Sequence, residues 1–196
     1  KSLSATSARL DPDVFESTEV GMKVALPNNM SLTAAYFDSE QVRAERDNDT
    51  GETSEVRGLT VDGFEIELKG RVNDGLNLAI AYSDLSGETS SGGIPREIPE
   101  HTLSAFAAWE VNEKLSVALG LTQQGESKIK DNTPGLVLPE YTRVDLSAYY
   151  QVAPNLSVQM NVENLMDELY FPHSHSTHQA SVGESVNSRV SLRWTY

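Results

Sequence analysis

The chain has 196 residues, no cysteine and a formal net charge of -14, from 15 Lys and Arg against 29 Asp and Glu. The lack of cysteine excludes thiol catalysis, a disulfide framework and a Cys-based zinc site, and so acidic a chain repels phosphates, so we expect no nucleic-acid partner. The mean hydropathy of -0.38 excludes a membrane helix of roughly 20 apolar residues but leaves open strands that alternate apolar and polar side chains.

Hydrophobic residues recur at every second position from one end of the chain to the other. This is the period of a β-strand with one apolar face, and helical spacing is hard to find. In chain order the alternating stretches are 20–26, 30–36, 64–68, 76–82, 103–111, 115–121, 144–152, 156–162 and 186–196. The sequence therefore predicts about nine antiparallel strands, each near the roughly 9–11 residues that cross a bilayer at a tilt.

The connections between these stretches alternate strictly between short and long. Tight turns rich in Asn, Asp, Pro or Gly begin at Pro27, Asn73, Asn112 and Ala153. The long polar connections that interleave with them are roughly 39–57, 87–100, 125–140 and 165–184. Outer-membrane barrels have short periplasmic turns and long extracellular loops. A soluble β-sandwich or β-helix also has alternating strands, but it has no reason to place every long loop at one end.

The positions of the aromatic residues agree with a membrane barrel. The aromatic residues that fall at the predicted periplasmic end of the apolar face are Trp109, Tyr150, Trp194 and Tyr196. Tyr36 and Tyr82 fall at the opposite, outer end. Two aromatic girdles are typical of membrane barrels. We therefore predict an all-β, antiparallel, up-and-down transmembrane β-barrel with its C-terminus in the periplasm.

Three segments of the last third carry a resemblance to a known family. They are Tyr141-Thr-Arg-Val-Asp-Leu, then Asn164-Leu-Met-Asp-Glu-Leu-Tyr170, and the end Arg189-Val-Ser-Leu-Arg-Trp-Thr-Tyr196. Together they resemble the C-terminal signature of the TonB-dependent outer-membrane receptors, with Met166 where that family usually has Phe. Shorter stretches that begin at Asp11, Val61 and Ile98 are also similar, so the resemblance covers nearly the whole chain. The stretch 176–180 is similar to the receptors for ferric catecholate siderophores.

The resemblance implies that residues 1–196 are the C-terminal part of a barrel of about 22 strands, with the plug domain and the early strands outside this sequence. It implies uptake of a ferric siderophore across a Gram-negative outer membrane, driven by the TonB complex through the plug, with no catalysis and no cofactor besides the transported ligand. Lipid, lipopolysaccharide and, through Tyr196, the barrel-assembly machinery are the other implied partners. A porin-like barrel, a phospholipase- or protease-type barrel that uses His101 or His178, and a receptor for haem or a vitamin remain alternatives.

The candidate ligand contacts are histidines and arginines near the outer ends of the last strands. His173, His175 and His178 lie within six residues and could meet an iron chelate or haem, but their spacing in a loop does not force them onto one ion, so we predict no metal site. Arg143 and Arg189 fall on the pore-facing side and could contact an anionic chelate. Pairing with neighbours such as Asp145 is the structural alternative for both.

The acidic stretch 38–57 superficially suggests a calcium loop at 47–52. Its glycine is not where an EF-hand needs it, so we predict a solvated turn. The sequence contains no Gly-x-Ser-x-Gly, no His-Glu-x-x-His and no phosphate-binding glycine loop, so we predict no catalytic residue.

Overall fold

The computed structural model describes residues 14–46, 53–130 and 135–196, which form strands, turns and loops. Within these ranges no helix is long and apolar enough to cross a membrane. The stretch at Asp11 and the calcium-like spacing at 47–52 lie outside the described residues. The strands are β1 (Val14–Leu26), β2 (Met30–Arg46), β3 (Thr53–Asn73), β4 (Leu76–Thr89), β5 (His101–Glu110), β6 (Leu115–Gln124), β7 (Ser127–Lys128), β8 (Val137–Leu138), β9 (Tyr141–Ala153), β10 (Leu156–Glu163), β11 (His173–Ser176), β12 (Gln179–Ser181) and β13 (Asn187–Trp194).

Nine of these strands form one antiparallel sheet, in the order β1-β2-β3-β4-β5-β6-β9-β10-β13. Each strand pairs with the strands next to it in the chain, apart from two small hairpins, β7–β8 and β11–β12, which lie within the long connections. The predicted count of about nine up-and-down strands is confirmed. The sequence did not predict the two hairpins, because strands of two to four residues are too short to show a period.

The register places the predicted apolar residues on one face of the sheet. Val20 lies opposite Tyr36, which lies opposite Phe64 on the next strand. In the same way Leu119 lies between Ala107 and Leu146. Because side chains alternate across a strand, one consistent register is enough to collect every apolar position on the same side.

No second layer covers this apolar face in the described part of the chain. Apart from Pro95 in an outer connection, only three apolar side chains are buried there, Leu138, Tyr141 and Tyr170, whereas Leu192 is 73% exposed and Val190 is 62% exposed. A water-soluble sandwich would bury such residues between two sheets. The exposed apolar face is that of a sheet whose solvent on one side is lipid.

The aromatic residues lie where the sequence places them. Trp109 and Trp194 are exposed on the apolar face, close to the short turns. Tyr36 is exposed on the same face near the outer end of the apolar part of β2, and Tyr82 lies beside Phe64 at a ring-centroid distance of 5.8 Å. The two predicted aromatic levels are therefore present in the sheet.

The four predicted tight turns are confirmed, and asparagines explain three of them. Asn28 and Asn29 both have positive φ, of 59° and 56°, as a two-residue hairpin turn that matches the strand twist requires. Asn73 Oδ1 accepts the N–H groups of Gly75 and Leu76 at 2.9 and 3.0 Å. In the same way, Asn112 Oδ1 accepts the N–H groups of Lys114 and Leu115 at 2.9 and 3.0 Å. These side chains replace the backbone hydrogen bonds that a tight turn leaves unmade.

The prediction of a long connection over 39–57 was wrong in its bounds, because the connection is much shorter. β2 continues to Arg46 and β3 begins at Thr53, so most of this stretch belongs to a paired hairpin. Ser39 lies opposite Val61 and Glu40 opposite Thr60, beyond the apolar part of the sheet. Backbone hydrogen bonds hold such an extension whatever its side chains are, and polar side chains suit it because both of its faces meet water.

Candidate ligand-binding site at the outer ends of the strands

A buried hydrogen-bond network holds the segment that follows β10. Asn164 is 1% exposed and has a positive φ of 52°, a conformation that asparagine adopts more readily than most residues. Its Nδ2 donates to the carbonyls of Glu168 and Glu184, both at 2.9 Å, and its Oδ1 accepts the N–H of Glu168 at 2.9 Å. The N–H of Asn164 donates to Asp145 Oδ1 at 2.9 Å. One side chain therefore joins both ends of the last outer connection to the barrel wall.

Asp145 and Tyr170 extend this network to Arg143 on the pore-facing side of β9. The Arg143 guanidinium lies 2.8 Å from Asp145 Oδ2 and donates to the Tyr170 hydroxyl at 3.3 Å. Tyr170 is buried, and the centroid of its ring is 4.8 Å from that of Tyr141. Gly183 makes room for Tyr170, since a Cβ at Gly183 would lie 2.2 Å from the Tyr170 Cζ. Arg143 is thus held by two partners of its own chain.

Glu97 connects three of the outer connections. Its Oε1 accepts the N–H of Ser174 at 2.7 Å and the hydroxyl of Ser174 at 2.9 Å, and its own N–H donates to the Lys128 carbonyl at 2.8 Å. The hydrogen bond from the Ser174 backbone, helped by the Arg96 guanidinium, holds the pKa of Glu97 below its usual value, although partial burial opposes this. Glu97 is therefore an anion at neutral pH and binds hairpin β11–β12 in that form.

The three candidate histidines all lie on or next to hairpin β11–β12, but they do not converge. His173 Nε2 is 2.8 Å from the Oγ of Ser181, its cross-strand partner. The rings of His175 and His178 are 6.1 Å apart between centroids, at 70° to one another. All three histidines are exposed. Among the residues described, no group of three His, Cys, Asp or Glu side chains is placed to hold a metal ion. A role in ligand contact stays a prediction.

The two candidate arginines lie on the same polar face, on strands separated by β10. Arg189 is on β13, where it lies opposite Asn161 of β10, and the Arg189 side chain is exposed. Arg143 is partly buried and engaged as described above. The structure therefore favours the pairing alternative for Arg143 and leaves Arg189 accessible from the pore side. Contact with a ligand stays a prediction for both.

Sequence reasoning missed Glu97 and Ser174. The two residues are 77 positions apart, and neither belongs to a local pattern that predicts a contact. The position of Asn164 was visible only as part of a motif, without its physical role. A non-glycine residue at positive φ, which Glu97, Asn164 and Asp167 all are, marks such constrained places, but it is visible only in a structure.

Comparison with known proteins identifies the chain. A family model described as "TonB dependent receptor-like, beta-barrel" matches residues 3–165. The chain belongs to this family. The probable TonB-dependent siderophore receptor PiuA of Acinetobacter baumannii is 26% identical over 215 residues, which cover 100% of this chain and 29% of that protein. The crystal structure of PiuA matches with a TM-score of 0.83 at 25% identity, over 99% of this chain and 30% of that chain.

Two further relatives show the range of the TonB-dependent receptor family. The metal-pseudopaline receptor CntO of Pseudomonas aeruginosa is 27% identical over 199 residues, covering 95% of this chain and 28% of that protein. The closed form of the ferric-catecholate import receptor Fiu of Escherichia coli K12 has a TM-score of 0.81 at 22% identity, over 98% of this chain and 29% of that chain, and supports the fold alone.

The chain spans less than a third of the length of these relatives. Its family is one of transport receptors, and TonB-dependent receptor barrels lie in the outer membrane of Gram-negative bacteria. The predicted fold and membrane location are thereby confirmed, and the exposed apolar face of the sheet is its lipid-facing surface.

Proposed function

We propose that this chain supplies barrel wall and outer loops to a receptor that takes up a ferric siderophore across the outer membrane. The observation that carries the proposal is the family match over residues 3–165, together with relatives such as PiuA whose names state siderophore reception. A TonB complex, acting through a plug domain, would supply the energy, because the outer membrane holds no ATP. We further propose lipopolysaccharide at the outer end of the apolar face and recognition of Tyr196 by the barrel-assembly machinery.

The outer connections provide the ligand-facing groups in this proposal. Hairpin β11–β12 presents His173, His175 and His178 beyond the end of the sheet, and Arg189 faces the pore side. Imidazole and guanidinium groups can hydrogen-bond to the oxygen atoms of an anionic chelate. The arginine is permanently charged, so it supplies attraction at every physiological pH.

A chelate of another metal is the second candidate ligand. The relative CntO is named a metal-pseudopaline receptor, and its identity to this chain is as high as that of PiuA. Histidine side chains suit such a ligand, because imidazole binds Zn, Cu, Ni and Fe. The catecholate branch is a third possibility, which the name of Fiu suggests.

We also propose that the chain performs no catalysis. The observation that favours a hydrolase is the contact of 2.8 Å between His173 Nε2 and Ser181 Oγ. These two residues are cross-strand partners on an exposed hairpin, where such polar pairs form for structural reasons. The sequence offered His101 or His178 for such an enzyme. His101 lies 3.9 Å from the Glu140 carboxylate and beside the Tyr82 ring, and His178 lies beside the ring of His175. An ester substrate supplied to the full-length receptor should remain intact, and Ser181→Ala should leave any background rate unchanged.

Transport is tested in a strain that lacks the full-length gene, complemented with the wild-type gene or an empty vector. Uptake of radioactive iron is measured with ferric catecholate, hydroxamate and mixed-ligand siderophores, and radioactive nickel and zinc are supplied with pseudopaline, the ligand in the name of CntO. We expect one class of chelate to be taken up only by the complemented strain, and only with an intact TonB complex. Equal uptake of every chelate by both strains would refute the proposal.

A further inference from the structure

The connections before β5 and after β6 run side by side beyond the end of the sheet. Glu97 N–H donates to the Lys128 carbonyl at 2.8 Å, and Glu100 N–H donates to the Glu126 carbonyl at 3.2 Å. Arg96 and Lys128 also form a parallel bridge. We call this paired stretch, residues 96–100 and 126–128, the platform. Backbone hydrogen bonds hold it together, so it does not depend on the identity of its side chains.

Hairpin β11–β12 is attached to the platform through the carboxylate of Glu97. A single oxygen of Glu97, Oε1, accepts both the N–H and the hydroxyl of Ser174, at 2.7 and 2.9 Å. Ser174 is 5% exposed, although it lies between His173 and His175, which are exposed. Hydrogen bonds to an ionised acceptor are shorter and stronger than those between neutral groups. We therefore call this contact the anchor of the hairpin, because a buried serine is held by two hydrogen bonds to one carboxylate oxygen.

The backbone conformation of Glu97 is one that favours glycine, which indicates that the glutamate side chain has a role at this position. Its φ is 58°, in the left-handed region that glycine adopts without strain and that a glutamate seldom occupies. Glycine would satisfy the backbone at this position but could not reach Ser174. A glutamate at this position accepts backbone strain, and its carboxylate in return binds Ser174.

The charges around the anchor support an anionic Glu97. The Arg96 guanidinium lies 4.0 Å from the second carboxylate oxygen, Oε2. The Lys128 ammonium turns away and pairs with Glu126 at 2.9 Å. Oε1 is thus left to Ser174, and Oε2 faces the arginine.

We propose that Glu97 is a positioning residue that fixes hairpin β11–β12 on the platform, so that His173, His175 and His178 meet an incoming metal chelate as part of one rigid surface. This inference rests on the proposed receptor function only for the identity of the ligand. The attachment of the hairpin can be measured without any ligand. Loss of Glu97 would leave the barrel wall intact, free the hairpin and weaken capture of the chelate.

The test is hydrogen exchange of the full-length receptor in lipid nanodiscs, read on peptides that cover residues 171–178. Glu97→Gly is the decisive variant, because glycine adopts this positive φ without strain and has no carboxylate. We expect the Ser174 amide to exchange about tenfold faster or more, as the loss of a hydrogen bond to a charged acceptor implies. Glu97→Gln should give a smaller increase, since its amide oxygen can still accept the bond.

The matched control is Glu100→Gln, which removes the same charge from the same connection. The backbone N–H of Glu100 bonds to Glu126, and no side-chain contact of Glu100 is found among the described residues. We expect normal exchange at Ser174 in this variant, and unchanged protection of β13 in every variant. Slow exchange at Ser174 in Glu97→Gly, or equal acceleration in Glu100→Gln, would overturn the proposal.

Chelate binding is then measured on the same samples. A Glu97→Gly receptor should bind the transported chelate several-fold more weakly while the protection of β13 stays normal, and Glu97→Gln should recover part of the affinity. If the wild-type receptor transports none of the chelates supplied, the receptor proposal fails, and the exchange data still decide whether Glu97 holds the hairpin. Wild-type affinity in a Glu97→Gly receptor with a freed hairpin would refute the link to ligand capture.

Discussion

The side-chain amide of Asn164 donates a hydrogen bond of 2.9 Å to the carbonyl oxygen of Glu184. The first of these residues begins the last outer connection, and the second lies near its end, just before β13. The same amide also reaches Glu168, so the connection leaves the barrel wall and returns to it through one buried side chain. The motif that carries the family resemblance is therefore, in this chain, a structural junction at the outer end of the sheet.

Asn164→Ala should destabilise the full-length receptor by about 2–4 kcal/mol, because three hydrogen bonds are lost and two carbonyls lose a donor in a site that water barely reaches. Asn164→Gly suits the positive φ and separates the hydrogen-bond loss from backbone strain. The free energy of unfolding is measured by urea titration in lipid vesicles. Asn77→Ala, on the open polar face of β4, is the control and should change it by less than about 0.5 kcal/mol. A similar small effect of both Asn164 variants would show that the network does not stabilise the fold.

Leu119 and Ala118 test which face of the sheet meets lipid. They are adjacent on β6 and point to opposite faces, Leu119 toward Leu146 and Ala118 toward Ser147. Leu119→Arg should cost about 2–4 kcal/mol of stability, since an arginine side chain would face hydrocarbon. Ala118→Arg should cost much less, because the polar face can hydrate a charge. The folded fraction of each variant is read from its mobility in gels of unheated samples. The reverse order would mean that the assignment of the two faces is wrong.

The attachment of hairpin β11–β12 should depend on pH through Glu97. Because folding lowers the pKa of Glu97 from its ordinary value of 4.5, the stability that it adds is present above that value and is lost as the pH falls through the lowered one. The exchange rate at Ser174, corrected for the intrinsic rate, should therefore stay constant near neutral pH and rise only below pH 4.5.

Two variants control this pH experiment. Among the described residues, the charged or ionisable groups that act on Glu97 are Arg96 and His173. His173→Ala removes the neighbouring imidazole and should keep the acid step. Glu97→Gln should abolish the step. An acid step that persists in Glu97→Gln would assign it to another group.

The two candidate arginines should behave differently when each is replaced by alanine. Arg189→Ala should weaken binding of an anionic ferric chelate by roughly tenfold, because an accessible guanidinium contributes about one charged hydrogen bond. Arg143→Ala should chiefly reduce the yield of folded receptor, since Asp145 loses its ion pair and Tyr170 loses a hydrogen-bond donor. Chelate affinity is measured by fluorescence quenching and folding by gel mobility. Unchanged affinity in Arg189→Ala would remove Arg189 from the ligand site.

The sequence alone determined the parts of this protein that depend on local chemistry. The alternation of apolar residues fixed the strands of the main sheet and the membership of each face, because neighbouring side chains on a strand point in opposite directions. The turns at Asn73 and Asn112 were readable because an asparagine side chain bonds to backbone groups two and three residues further on. The resemblance of its motifs identified the family without any coordinates.

Only the tertiary structure decided which distant groups meet. The paired extension of β2 and β3 carries no apolar period, so its backbone pairing was invisible in the sequence. The pairing of Arg143 with Asp145, two residues away on the same strand, was an alternative that the sequence offered. Its contact with Tyr170, 27 residues away, depends on how the last outer connection folds back. The contact between Glu97 and Ser174 requires three connections to lie together, and contacts between segments so far apart in the chain are set by the register of the whole sheet.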